Sequence, residues 1–130
     1  MGTPLSVTLG QHSRAGRKGA NQDFHGAMLP LEPQRSSKGI AGTSAGALNA
    51  VALADGIGSS AVSQEASAAS VRGFLDDYYA TSEAWSVRRS AQRVLDATNA
   101  WLHAQTMRSH ARFDKDRGYV CTFSALIVKG

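Results

Sequence analysis

The sequence is poor in the residues that define several protein classes. Cys121 is its single cysteine, so no disulfide can form within the chain. It holds no run of about 18 apolar residues, the length a membrane-spanning helix needs. Asn21, Asn49 and Asn99 each lack Ser or Thr two places on, which excludes an N-glycosylation acceptor. No charged-then-apolar start marks a secretory leader, and no internal repeat marks a solenoid. A lone thiol without an export signal is the pattern of a reducing, cytoplasmic setting.

What is present is an ordinary globular composition. Hydrophobic residues make up 42% and charged residues 18% of 130 positions, which bounds one small domain. Lys and Arg number 14 against 10 Asp and Glu, for a formal charge of +4. The basic residues are divided between Arg14, Arg17 and Lys18 near the start and Arg88, Arg89 and Arg93 further on. Aromatic residues do not interleave with them as a base-stacking platform requires, which argues against a nucleic-acid partner. The readings left are a solvated basic surface and a small anion such as phosphate.

Periodicity sets out the elements. Residues 4–9 (PLSVTL) alternate as a short strand, 10–21 read as a loop or strand edge, and 24–29 as a second strand. Residues 30–39, with two prolines and several polar groups, read as a surface loop. Residues 48–54 (LNAVALA) form an apolar run ended by Asp55-Gly56, a buried strand entering a turn. Val62, Ala66, Ala69, Phe74, Leu75, Tyr78 and Tyr79 fall on one helical face, with Ser60 or Ser63 as candidate caps. A second helix is expected over about 82–108, burying Val87, Ala91, Val94, Leu95, Thr98, Trp101 and Leu102. Residues 119–128 (YVCTFSALIV) read as a final strand, with Cys121 packed inside it. Strands and helices segregate rather than alternate, which favours α+β.

Two carboxylates stand at strand ends beside small or amide residues. Asp23 closes residues 16–23 (GRKGANQD), and Asp55 opens residues 55–60 (DGIGSS). An Asp that ends a buried strand is a positioned oxygen ligand for Mg²⁺ or Mn²⁺, and the glycine after it allows a backbone carbonyl near the same ion. Taken alone, Asp-Gly is more often a turn.

With 18–23 (KGANQD), 53–60 (LADGIGSS), the two-helix block and 118–125 (GYVCTFSA) in this order, the chain resembles the metal-dependent protein phosphatase 2C family. Residues 76–85 (DDYYATSEAW) and 113–122 (FDKDRGYVCT) are similar to the phosphatase half of bacterial bifunctional kinase–phosphatases. The resemblance implies a partial four-layer αββα sandwich that stops after the strand at 119–128. Residues 1–130 are then the N-terminal portion of one phosphatase domain. It also implies hydrolysis of phosphoserine and phosphothreonine in signalling, by water activated between two metal ions. Asp55 matches the aspartate that bridges them, Gly56 the glycine whose carbonyl ligates one, and Asp23 an acidic residue holding metal-bound water. Gln22 completes the implied metal-site residues, standing where many members have Glu, a change that weakens one metal's water shell. Lys18 stands where many use Arg to grip the substrate phosphate, and it supplies charge without the bidentate fork. The family's further aspartates come from a C-terminal half, so the isolated chain is expected to bind metal poorly and turn over little. A kinase domain in a longer protein is an implied partner, beside the phosphoprotein substrate.

Residues 42–46 (GTSAG) also fit the G-x-S-x-G elbow, and 42–50 (GTSAGALNA) resemble patatin-type acyl hydrolases, with Ser44 as nucleophile. No glycine-rich oxyanion loop precedes Ser44. The only Asp-Gly pair lies too close, and a strand-like run follows where an elbow needs a helix. The alternative is a Gly/Ser/Ala insertion at about 42–49 in a phosphatase loop. A third reading is a non-catalytic interaction module that self-associates through the edge of its last strand. His12, His25, His103 and His110 form no metal motif.

Overall fold

A computed structural model describes residues 9–28, 48–58, 62–109, 113 and 117–129. In chain order these form β1 (Asp23–Met28), β2 (Leu48–Asp55), α1 (Val62–Ala80), α2 (Val87–Arg108) and β3 (Ser124–Lys129). The strands make one antiparallel sheet in the order β1-β2-β3. Helix α1 lies across β1 and β2, and α2 packs on α1. The architecture is α+β, as the segregated pattern implies. No helix among the described residues is long and apolar enough to cross a membrane.

The sheet accepts α1 at close range because the centre of its inner face is built from small residues. Ala50, Ala52 and Ala54 of β2 are buried. Gly26 of β1 pairs with Ala52, and a Cβ there would lie 2.9 Å from Leu75 Cδ1. The bulk comes from the helix. Val71, Phe74, Leu75 and Tyr78 fill the space above the alanines. The Phe74 ring stacks on Tyr78 at 5.5 Å and meets Phe123 at 5.1 Å, an arrangement that adds to simple area burial.

The expected α1 face is only partly the observed one. Ala66, Phe74, Leu75, Tyr78 and Tyr79 are buried as expected, but so are Ser63, Ser67 and Ser70. Their hydroxyls have local partners: Ser67 Oγ donates to Ser63 O at 3.2 Å, and Ser70 Oγ lies 3.2 Å from Cys121 Sγ. A short hydroxyl bonded this way buries almost as a small apolar residue does. Cys121 is half-buried against the core.

Helix α2 corrects two expectations. It begins at Val87, because Ser86 is the residue with cap geometry (φ −64°, ψ 159°) and its Oγ accepts from Arg89 N at 3.1 Å. Ser82 instead organises the turn before it, accepting from Ala84 N through Oγ at 3.2 Å. The apolar stripe is also not a core stripe. Only Ser90, Val94 and Thr106 are buried, while Val87, Leu95 and Trp101 are 38%, 36% and 44% exposed. A helix that rests chiefly on one neighbouring helix buries a narrow strip rather than the wide face that a sheet would cover. Removing the cap with Ser86→Ala is expected to lower stability by about 1 kcal/mol in urea unfolding, with no change in the sheet.

The last strand is shorter than expected as a regular strand, but its register runs further. Beyond Leu53↔Ser124, pairing resumes at Gly56↔Cys121, and Ile57 N donates to Val120 O at 2.9 Å. Between them Thr122 N donates to Asp55 O at 2.8 Å, while Asp55 N donates to Thr122 Oγ1 at 3.2 Å. A side-chain hydroxyl thus takes one place in the ladder, which interrupts the regular strand at 122–123. Of the expected strand at 4–9, only Leu9 is described, in irregular structure. The loop at 30–39 lies outside the described residues. So do 42–47 of the expected insertion, including Ser44, while Leu48 and Asn49 belong to β2.

Candidate functional site

Asp23 is the first residue of β1 and Asp55 the last of β2, and the antiparallel register makes them direct partners. Their separation of 32 positions in the sequence therefore becomes adjacency across a strand pair, with both residues exposed at the sheet's end. They lie on the face opposite α1, because the neighbouring Ala54 is one of the alanines under the helix. The Asp23 carboxyl is held above its ordinary value, first by a side-chain hydrogen bond with Asp55, then by partial desolvation and the Asp55 charge. Lys18 acts on the same carboxyl in the opposite direction. The structure thus gathers Lys18, Asp23 and Asp55 in one electrostatic neighbourhood.

The backbone beside the pair is fixed on both sides. Gly56 N donates to Gln22 O at 3.0 Å, and on the other edge the bonds to Val120 and Thr122 hold Asp55 and Ile57. Gly56 is buried, and a Cβ there would lie 2.5 Å from the Ser63 carbonyl oxygen. Its lack of a side chain is required by the approach of helix α1. Gly58 turns at a φ of +91°, a conformation that favours glycine. On the other side of the pair, Asn21 Oδ1 accepts from Asp23 N at 3.1 Å, and Asn21 Nδ2 donates to Ser13 Oγ at 2.7 Å.

The Gln22 side chain has a different task from its neighbour. Its Nε2 donates to Gly58 O and to Ser63 Oγ, both at 2.8 Å. One amide therefore ties β1 to the turn after Asp55 and to the first turn of α1. A carboxylate could not donate these bonds, which gives the amide at this position a local reason. Ser63 is likewise buried inside α1 as an acceptor for Gln22. The pattern of charges and glycines did not mark Ser63 or Thr122 as part of this region. Their signal was available only as hydroxyl residues in otherwise apolar segments.

Two carboxylates are hard oxygen donors of the kind Mg²⁺ and Mn²⁺ prefer, and like charges placed in register favour a cation between them. Among the described residues, they do not belong to any group of three or more His, Cys, Asp or Glu able to hold a metal. No family model, curated protein or solved structure matches this chain.

Proposed function

We propose that this chain is the N-terminal portion of a metal-dependent phosphoserine/phosphothreonine protein phosphatase. The observation that carries the reading is the cross-strand pairing of Asp23 with Asp55 beside Lys18. Asp55, Asp23 and the Gly56 carbonyl would hold Mg²⁺ or Mn²⁺, with Gln22 fixing the turn that carries Gly56. When bound, two such ions lower the pKa of water and stabilise charge on a transferring phosphoryl group.

The chain's own residues then have distinct tasks. Asp55 and Asp23 present two oxygens each from paired strand ends, so little backbone entropy is lost on binding a cation. Both are exposed, which leaves the site open to a phosphorylated side chain of a protein substrate. Lys18 offers positive charge to the phosphate as a point contact rather than a fork. The remaining ligands would come from a C-terminal half. A kinase domain in a longer bacterial signalling protein, and a cytoplasmic setting, complete the proposal.

The test is cation binding rather than turnover. Titrating Mn²⁺ into the isotopically labelled chain is expected to broaden the amide signals of Asp23, Asp55 and Gly56 before any others. Broadening that begins elsewhere, or an Asp23/Asp55 region untouched by Mn²⁺ in large excess, would overturn the reading. Phosphate release from a phosphoserine peptide is expected to be slow and dependent on Mn²⁺.

A further inference from the structure

We propose that the concavity beside the start of α2 is a binding site for a small polyanion, a ligand carrying two or more linked phosphate groups. It encloses about 660 Å³ and is lined by Arg88, Arg89 and Arg93, with Trp85 and Gln92. This volume falls in the range of small-ligand sites. The concavity lies at the far end of the helical layer from the acidic pair. Ser63, which touches Gly56, and Ala80 stand at opposite ends of the 19-residue α1, roughly 28 Å of helix.

Three guanidinium groups here are unexpected on structural grounds. Arg88 and Arg89 occupy the second and third positions of α2, where the helix dipole disfavours cations, and no acidic residue stands in that first turn. All three arginines are exposed, so packing does not explain their placement. Arg89 is nonetheless held in place, its guanidinium 4.4 Å from the centre of the Trp85 ring. Asp96, the acidic residue in the lining, is engaged by Gln92 Nε2 at 2.9 Å.

The arrangement selects among anions. Arginine forks match phosphate oxygens in pairs, and three of them exceed what a single monoanion can satisfy. A single nucleic-acid strand needs a row of aromatic faces for its bases, but one aromatic ring is present here and Arg89 occupies a face of it. A peptide held by apolar anchors is not matched, since apart from Trp85 the lining is polar. Small phosphate chains remain, whether free or as the tail of a nucleotide. Anion binding here stands independently of the chemistry at Asp23 and Asp55.

Calorimetric titration of the full chain with sodium tripolyphosphate, at physiological ionic strength and without divalent cations, tests this. Saturable binding at one site is expected, with a shift of the Trp85 indole N–H resonance. Arg88→Gln/Arg93→Gln spares the Arg89–Trp85 contact and is expected to weaken binding at least about tenfold while keeping the melting temperature. Arg108→Gln, at the opposite end of α2, is expected to leave the affinity unchanged. Adenosine triphosphate binding more tightly than tripolyphosphate identifies the ligand as a nucleotide tail, and binding more weakly identifies it as a free phosphate chain. Absence of saturable binding, equal binding by the double variant, or displacement by a single-stranded oligonucleotide at matched phosphate concentration would each overturn the proposal.

Discussion

Gly56→Ala is expected to destabilise the chain by about 3 kcal/mol, the range of an overpacked core position. The added methyl would sit 2.5 Å from the Ser63 carbonyl oxygen, 2.8 Å from its carbonyl carbon and 2.9 Å from its Cβ. Two of these three atoms are backbone, inside the first turn of α1, so no rotamer change can relieve the contact. Either the helix start moves off the sheet or the turn after Asp55 moves. Both movements strain the two Gln22 side-chain bonds and the Gly56 N–H bond to Gln22 O. Urea unfolding at matched denaturant slope measures the loss. A change under about 0.5 kcal/mol would show that the helix start yields freely.

Asp55→Asn is expected to do the reverse without metal and to lose the cation response entirely. In the folded chain the Asp23 carboxyl ionises less readily than the ordinary 3.8, chiefly through Asp55. A raised folded pKa in an acid means that the native state binds more protons than the unfolded state across that window. Stability therefore falls as pH rises through it, and near neutrality the Asp23 carboxylate stands against the Asp55 charge. An amide in place of Asp55 removes the like charge and can donate to Asp23. The metal-free variant should be more stable at neutral pH by about 0.5 kcal/mol, the scale of an exposed cross-strand charge pair. Much of that advantage should vanish in acid, below the ordinary Asp23 value, where the Asp23 carboxyl of the wild type is protonated. With Mn²⁺ at about a hundred times its dissociation constant, the wild type should gain about 2.7 kcal/mol and the variant nothing, so their order reverses. Thermal melts with and without Mn²⁺, at neutral and acid pH, read both halves. A variant that is less stable without metal, or still stabilised by Mn²⁺, would remove the acidic pair from the proposed role.

The types and order of the described elements were legible in the sequence because 48–55 is a near-continuous apolar run ended by Asp-Gly, 62–80 spaces its large apolar residues helically, and 124–129 is apolar and β-branched. The pairing of Asp23 with Asp55 was legible only as two similar motifs, since register depends on contacts between distant segments. Residues whose role is to join elements were least visible. Gln22 and Ser63 bond to each other across the sheet–helix boundary and Thr122 bonds to Asp55 across the strand ladder, and nothing in their local spacing announces a partner 41 or 67 positions away. The apolar stripe of α2 misled for a related reason. Periodicity shows which side of a helix is greasy, whereas the width of the surface laid against it decides how much is covered.

The alanines of β2 carry one more consequence. The central strand is apolar on both faces, with Ala50, Ala52 and Ala54 toward α1 and Val51 and Leu53 away from it. Hydrophobicity alone would accept a slip of one residue, which exchanges the two faces of a strand. Size does not accept it. A slipped β2 would drive valine and leucine against Phe74 and Tyr78, where only methyl groups fit, and would turn Asp55 toward the helix. Side-chain volume thus encodes the alignment of this strand, and with it the meeting of the two carboxylates at its end.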